Sequence, residues 1–393
     1  MTTKTTRFKA FTVEKGIRQT GPARWEIRVY AGRNPDTQAI HHVNGTTTEG
    51  ISAARKLKAK LITEVAEGKH GSTSGTFGQL LDAWLKDGRQ GRATTTIDGY
   101  KINIETKIRP ALGSIMLTKL TARDLDAFYG GLIAEGTSPA MVMHHHRVIS
   151  AALRQAEKWG TVPASVARNA TPPRVPKRPM VVPPPERVRA LIDLAAASRS
   201  PEQATLITLA ALTGMRRGEL CGLRLSDVDW QGSALTVRHS IWQTRDGWGV
   251  KDTKTHQQRR LLLGEQTMGV LLGRWDRVKA ATDLAEIELS EDAYVFSPVL
   301  DGMKPLLPNY VTPSFRKLCR KMEETTGDDW PYRFHDLRHY TATELFRQGH
   351  HARTVADRLG HADPALTLRV YTHDTDDQAL AAASALEAGV LAG

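Results

Sequence analysis

The sequence predicts a multidomain chain: a small α+β unit at the N-terminus, an all-helical bundle in the middle, and a mainly helical C-terminal region carrying a small β-sheet. Three observations lead there. The 393 residues exceed what one hydrophobic core usually serves. The apolar period changes along the chain, from two in residues 25–31 to that of a helix in residues 51–65 and again through 76–160. Eight of the 19 prolines fall within residues 161–185, a density that neither a helix interior nor a central strand tolerates.

Lys and Arg number 54 against 42 Asp and Glu, a formal net charge of +12 that points to a polyanionic partner. No apolar run has the length of a membrane span and the first residues carry no secretory-signal core, so a cytoplasmic location is expected. Cys221 and Cys319 are far apart and neither lies in a C-x-x-C, which excludes a disulfide framework and a cysteine-rich zinc site.

Residues 1–70 hold 13 Lys and Arg against 6 Asp and Glu. In 25–31, Trp25, Ile27, Val29 and Ala31 share one face of a strand and Glu26, Arg28 and Tyr30 the other, between Gly/Pro turn signals. Thr46 and Glu49 have capping-box spacing ahead of a helix whose stripe is Ile51, Ala54, Leu57, Leu61 and Val65 and whose outer face carries Arg55, Lys56, Lys58 and Lys60. A three-stranded sheet backed by one helix is the expectation. Such a cationic face is ordinarily just solvated; Arg28, Tyr30, Arg55 and Lys56 become candidate DNA contacts because the rest of the chain also points to nucleic acid.

The Gly- and Ser-rich residues 67–75 mark a seam. Beyond it, Thr76 with Gln79, Thr121 before a helix ending near Gly136, and Ser138-Pro139 before one ending at Trp159-Gly160 predict four helices over 76–160. His144, His145 and His146 are consecutive, about 100° apart on a helix, and cannot converge on one metal ion; a surface or DNA-facing role is expected. The proline-rich residues 161–185 read as an extended basic linker, with Arg174, Lys177 and Arg178 able to meet phosphates or simply to be solvated.

From residue 186 a helix following Ser200-Pro201 stops at Gly214, and strands at 234–239 and 260–263 flank the polar stretch 251–259, which suggests a hairpin there. Four local patterns bear on chemistry. Thr213-Gly-Met-Arg-Arg-Gly-Glu-Leu220 presents Arg216 between glycines. Lys254 sits in the expected hairpin tip, where most lysines only aid solubility, and Lys251 competes for any role it has. His335-Asp-Leu-Arg-His339 puts His335 and Arg338 on one helix face. His335 and His339 also have zinc-ligand spacing, but no Glu stands between them and Arg338 would repel a cation, so no metal is expected. Finally, Leu359-Gly-His361 precedes Tyr371-Thr-His373 by ten residues.

Each pattern alone is weak. In this order, two arginines, a lysine, two histidines and a tyrosine compose a kit for phosphoryl transfer that needs neither ATP nor a divalent ion. These segments together resemble the tyrosine recombinases, specifically the phage-type (lambda-like) integrases. The resemblance by motif spans residues 186–373. It implies an arm-type DNA-binding domain over 1–70, a SAM-like core-binding domain over 76–160, a linker over 161–185, a catalytic domain over 186–373, and a tail over 374–393 that contacts a neighbouring protomer.

It implies further that Tyr371 attacks the scissile phosphate to give a 3′-phosphotyrosine, that Arg216, Arg338 and His361 hold the phosphate, that His335 assists proton transfer, and that Lys254 is the general acid. No cofactor is implied. The implied partners are double-stranded DNA at core-type and arm-type attachment sites, three further copies in a tetramer that passes through a Holliday junction, an excision or directionality factor and a host DNA-bending protein, all on the nucleoid. The competing reading is a sequence-specific DNA-binding regulator whose recombinase domain is inactive.

Overall fold

The structure, a computed structural model, describes residues 8–33, 40–66, 75–88, 90–176, 180–198, 200, 202–252, 258–360, 384 and 387. The chain divides into two compact units, Met1–Lys177 and Arg178–Gly393.

The first unit opens with an antiparallel meander of four strands, β1 (Phe11–Glu14), β2 (Ile17–Gly21), β3 (Arg24–Arg33) and β4 (Ile40–Thr47), in the order β1-β2-β3-β4. The expectation of three strands is corrected. β1 buries no side chain: Phe11 and Val13 alternate with Thr12 and Glu14 but stay exposed, so four residues gave no core-facing signal and its ladder to β2 defines it. In β3 the expected alternation holds: Ile27 and Val29 are buried while Arg28 and Tyr30 are exposed. Ile17, Ile27 and Val29 pack with Ala54 and Leu61 of α1 (Ile51–Ala66). The expected Thr46–Glu49 capping box does not form. Pairing with β3 extends β4 through Thr46 and Thr47, and the Glu49 N–H donates instead to Thr47 Oγ1 at 3.3 Å.

The bundle follows with α2 (Phe77–Asp87), α3 (Thr94–Asn103), α4 (Arg109–Leu112), α5 (Ala122–Ala134) and α6 (Pro139–Lys158). A π-helical turn, Ile104–Ile108, joins α3 to α4 without a break, so the region holds four helical rods as expected. Thr76 with Gln79 and Thr121 with Asp124 make capping boxes, and Ser138 caps α6. The core gathers Phe77, Leu81, Trp84, Ile104, Ile108, Leu125, Ile149 and Leu153.

Two expectations fail here. His145 is 3% exposed and is not at the surface, because the buried stripe of α6 runs Val142, His145, Ile149, Ala152 and takes the imidazole in beside Phe128. The proline-rich stretch is not an extended linker throughout: Val162 and Ala167 enter the bundle core, Val166–Arg168 forms a 3-10 turn, and Arg168 pairs with Glu157 at 2.7 Å.

The second unit contains α7 (Pro185–Ala196), α8 (Glu202–Thr213), α9 (Arg217–Cys221), β5 (Val228–Asp229), β6 (Ala234–Val237), β7 (His239–Gln243), β8 (Trp248–Asp252), β9 (Arg259–Leu262), α10 (Glu265–Leu284), α11 (Pro308–Thr326), α12 (Asp336–Arg347) and α13 (Ala352–Leu359). β5-β6-β9 form one antiparallel sheet and β7-β8 a second. The predicted hairpin is thereby revised: β6 pairs with β9, and β7 and β8 make their own hairpin between them. α8 is the central helix, buried nearly all round, with α7, α10 and α12 packed against it. Cys221 and Cys319 are both buried in this core. No helix among the described residues is long and apolar enough to cross a membrane.

Candidate active site

α8 ends where Gly214 adopts φ +67°, a left-handed turn that a side chain resists. A Cβ at Gly214 would collide with Leu359 Cδ2 and press on Thr341. Two residues later Arg216 caps α9. Its backbone N–H donates to Glu219 Oε2 at 2.8 Å, its Nη1 to Glu219 Oε1 at 2.8 Å, and its Nη2 to the Gly360 carbonyl at 3.0 Å.

Glu219 is 2% exposed, and Arg259, at the start of β9, binds the same carboxylate from the other side through Nη1 to Oε1 at 3.2 Å and Nη2 to Oε2 at 2.7 Å. Burial alone would raise the Glu219 carboxyl. The hydrogen bonds and charge of Arg259, with the charge of Arg216, outweigh it and hold the group down at about 2. The carboxylate therefore stays ionised and keeps both guanidinium groups in place.

α12 lies across α8, fastened by the Thr341 hydroxyl, which donates to the Ala211 carbonyl at 2.7 Å. This brings Arg338, 3% exposed, to the Gly214 carbonyl, to which its Nη1 donates at 2.6 Å. One turn earlier, His335 keeps solvent contact at the head of α12, with its ring 5.0 Å from that of His339 and edge-on to it. Desolvation by the surrounding protein, then the positive charges of His339, Arg338 and Arg216, depress the His335 imidazole to about 4. It is neutral at pH 7, with one ring nitrogen keeping its lone pair. No cluster of three metal-ligating side chains occurs among the described residues.

Of the residues singled out in the sequence, the fold thus gathers Arg216, His335 and Arg338 around the Gly214 and Gly360 turns. Lys254, His361 and Tyr371, like Lys177 and Arg178, lie outside the described residues. Lys251 lies in β8 opposite Ser240. In the N-terminal sheet, Arg28 Nη2 lies 3.3 Å from His42 Nδ1 and Tyr30 is 56% exposed, whereas Arg55 pairs with Glu14 at 3.2 Å. Lys56 and Arg174 are exposed. Sequence reasoning passed over Glu219 and Arg259. The first was legible as the third residue of a cap, Arg216 to Glu219; the second lay hidden at the end of a polar stretch.

Residues 184–378 match the model of the phage integrase family, and residues 76–133 match that of the phage integrase N-terminal SAM-like domain. The chain belongs to the phage integrase family. The integrase is a tyrosine-type recombinase, an enzyme of site-specific DNA breakage and rejoining, and the inactive-regulator reading is not favoured. It is 26% identical over 361 residues to an integrase of Streptomyces ambofaciens, covering 88% of this chain and 89% of that protein. It is 25% identical to the ICEBs1 integrase of Bacillus subtilis, covering 83% and 88%. Among solved structures, the Tn1549 transposon integrase in complex with a circular intermediate DNA matches with a TM-score of 0.67 and 20% identity, covering 80% of the integrase and all of that chain. A lambda integrase tetramer bound to a Holliday junction matches at 0.56 and 18% identity, covering 92% and 98%.

Proposed function

We propose that the protein integrates, and with a partner excises, a phage or other mobile element by cutting and rejoining double-stranded DNA through a 3′-phosphotyrosine. The observation that carries this is the meeting of Arg216, Arg338 and a neutral His335 at the Gly214–Gly360 junction. Arg216 and Arg338 hold the non-bridging oxygens of the scissile phosphate and offset the charge that grows on them as the phosphorus becomes five-coordinate. Tyr371 Oη attacks phosphorus while the P–O5′ bond breaks. The tyrosyl proton passes toward His335, and Lys254, with Lys251 the alternative, protonates the departing 5′ oxygen. His361 adds a donor to the phosphate. Attack by another strand's 5′-hydroxyl reverses these steps, so the linkage energy is conserved and no cofactor enters.

The remaining roles follow the family. Residues 1–70 bind arm-type sites through the face bearing Arg28 and Tyr30, with Arg55 and Lys56 behind. Residues 76–160 and 186–373 grip the core-type site, and Arg174, Lys177 and Arg178 in 161–185 add phosphate contacts. Four copies exchange strands through a Holliday junction, the acidic tail 374–393 joining neighbours. A directionality factor and a host DNA-bending protein assist, on the nucleoid in the cytoplasm.

The test is adduct trapping. The full chain is incubated without metal on nicked genomic DNA from a host carrying the element, and SDS-resistant protein–DNA adducts are isolated and sequenced. Adducts that persist in EDTA, vanish in Tyr371→Phe and map to one short site are expected. DNA retention without adducts would overturn the catalytic reading.

A further inference from the structure

We infer that Arg259 is a positioning residue for the phosphate clamp, fixing Glu219 and the 358–360 turn to each other and, through both, the orientation of Arg216. This rests on the recombinase reading above. Arg259 is the hub of a set of contacts that join three chain segments, 216–219, 259 and 358–360. Its Nη1 and Nη2 bind the two oxygens of Glu219, while its Nε donates to the Arg358 carbonyl at 3.1 Å. Arg216 binds the same two oxygens and the Gly360 carbonyl, two residues beyond Arg358. Both supports of Arg216 are therefore also supports of Arg259.

The sharing is oxygen by oxygen. Oε1 receives Arg216 Nη1 and Arg259 Nη1; Oε2 receives the Arg216 backbone N–H and Arg259 Nη2. A carboxylate buried to this degree needs all four bonds to offset its desolvation. Without Arg259 it has, among the described residues, only Arg216 to draw upon, and the guanidinium is pulled onto Glu219 and away from the position where it meets a phosphate. Arg259 also braces the turn at Gly360, where it lies so close that a Cβ would sit 2.8 Å from Nη1. That turn is the one that leads into His361. Lysine cannot replace it: one ammonium cannot span a carboxylate and a carbonyl that the planar guanidinium reaches with three nitrogens.

The experiment uses the full chain, with a duplex carrying the site mapped by adduct trapping and a second duplex whose bridging 5′ oxygen at the cut is sulfur, a leaving group that needs no proton. Wild-type, Arg259→Lys, Arg259→Gln and Gly360→Ala proteins are compared for duplex retention in gel shift and for single-turnover adduct formation at saturating DNA. The expected result is retention within about threefold of wild type and adduct formation slowed about 100-fold in all three variants, with no recovery on the sulfur-bridged duplex. Gly360→Ala perturbs the same guanidinium without removing it and serves if the Arg259 variants fail to fold. Wild-type rates in Arg259→Lys, a loss of retention equal to the loss of rate in Gly360→Ala, or recovery on the sulfur-bridged duplex would each overturn the inference. Absence of wild-type adducts would instead sink the recombinase reading on which it rests.

Discussion

Arg338 donates to the carbonyl of Gly214 at 2.6 Å, 124 residues back along the chain, so the helix that carries one arginine of the candidate site is tied to the turn that presents the other. The turn's geometry is set by φ +67° at Gly214. Gly214→Ala places a methyl against Leu359 and forces alanine into the left-handed region, a strain of about 1–3 kcal/mol. A lowered melting temperature together with loss of adduct formation is expected; a melting curve that matches wild type would show that the turn tolerates a side chain.

Arg216→Lys keeps the charge and loses the fork. Lysine cannot bind Glu219 and the Gly360 carbonyl and still present two donors to a phosphate. Adduct formation is expected to fall about 10²–10³-fold while duplex retention stays nearly unchanged. Single-turnover kinetics beside a gel shift separates the two.

Acid should loosen the second unit in a defined window. The His335 imidazole lies at about 4 in the folded protein, below an ordinary value of about 6.5 in the unfolded chain. The unfolded state therefore takes up the proton first. The contribution of the neutral ring is fully present above about pH 6.5 and is lost as the pH falls to about 4. His339 is shifted in the same direction, with burial as the leading cause. Melting temperatures measured from pH 7.5 to 4 should fall less steeply for His335→Asn than for wild type; equal slopes would show that His335 does not couple protonation to unfolding.

His145 is a cost the bundle carries. Its ring is buried beside Phe128 and its Nδ1 finds no hydrogen-bond partner among the described residues. A buried polar atom left unpaired costs about 1–3 kcal/mol. His145→Leu should raise the melting temperature of the chain and leave duplex retention unaltered. A drop in melting temperature would mean that the imidazole makes a contact the leucine cannot.

In the N-terminal sheet, Arg28 stands exposed on the face opposite the core, with Asn44 across from it in β4. Arg28→Ala should weaken binding to arm-site DNA and, if the contact is to a phosphate, lower the salt slope by about one; an unchanged slope with relaxed sequence preference would mark a base contact instead.

What could be read from the sequence had local causes. Thr76, Thr121 and Ser138 announced their helices because a cap is completed within three residues, and Ile27 and Val29 announced β3 because burial on one face imposes alternation. What escaped had distant ones. β1 buries nothing and exists through its partner strand. The Thr46–Glu49 cap lost to a sheet ladder that local sequence does not reveal. Arg259 finds Glu219 across 40 residues, from a run of polar side chains with no period to betray which of them turns inward. Arg216, His335 and Arg338 could be singled out because their local patterns, weak one by one, together resemble those of a family, and the fold brings the three together.

The two cysteines have a consequence for spectroscopy. Burial pushes the Cys221 thiol up to about 12 and the Cys319 thiol up to about 11, so at neutral pH neither offers a thiolate to a maleimide. Since the chain contains only these two, a single cysteine introduced on a solvent-facing strand or helix would be the one group that takes a fluorophore. The wild-type core can then be kept intact while dye-labelled copies are followed, one molecule at a time, through assembly and strand exchange.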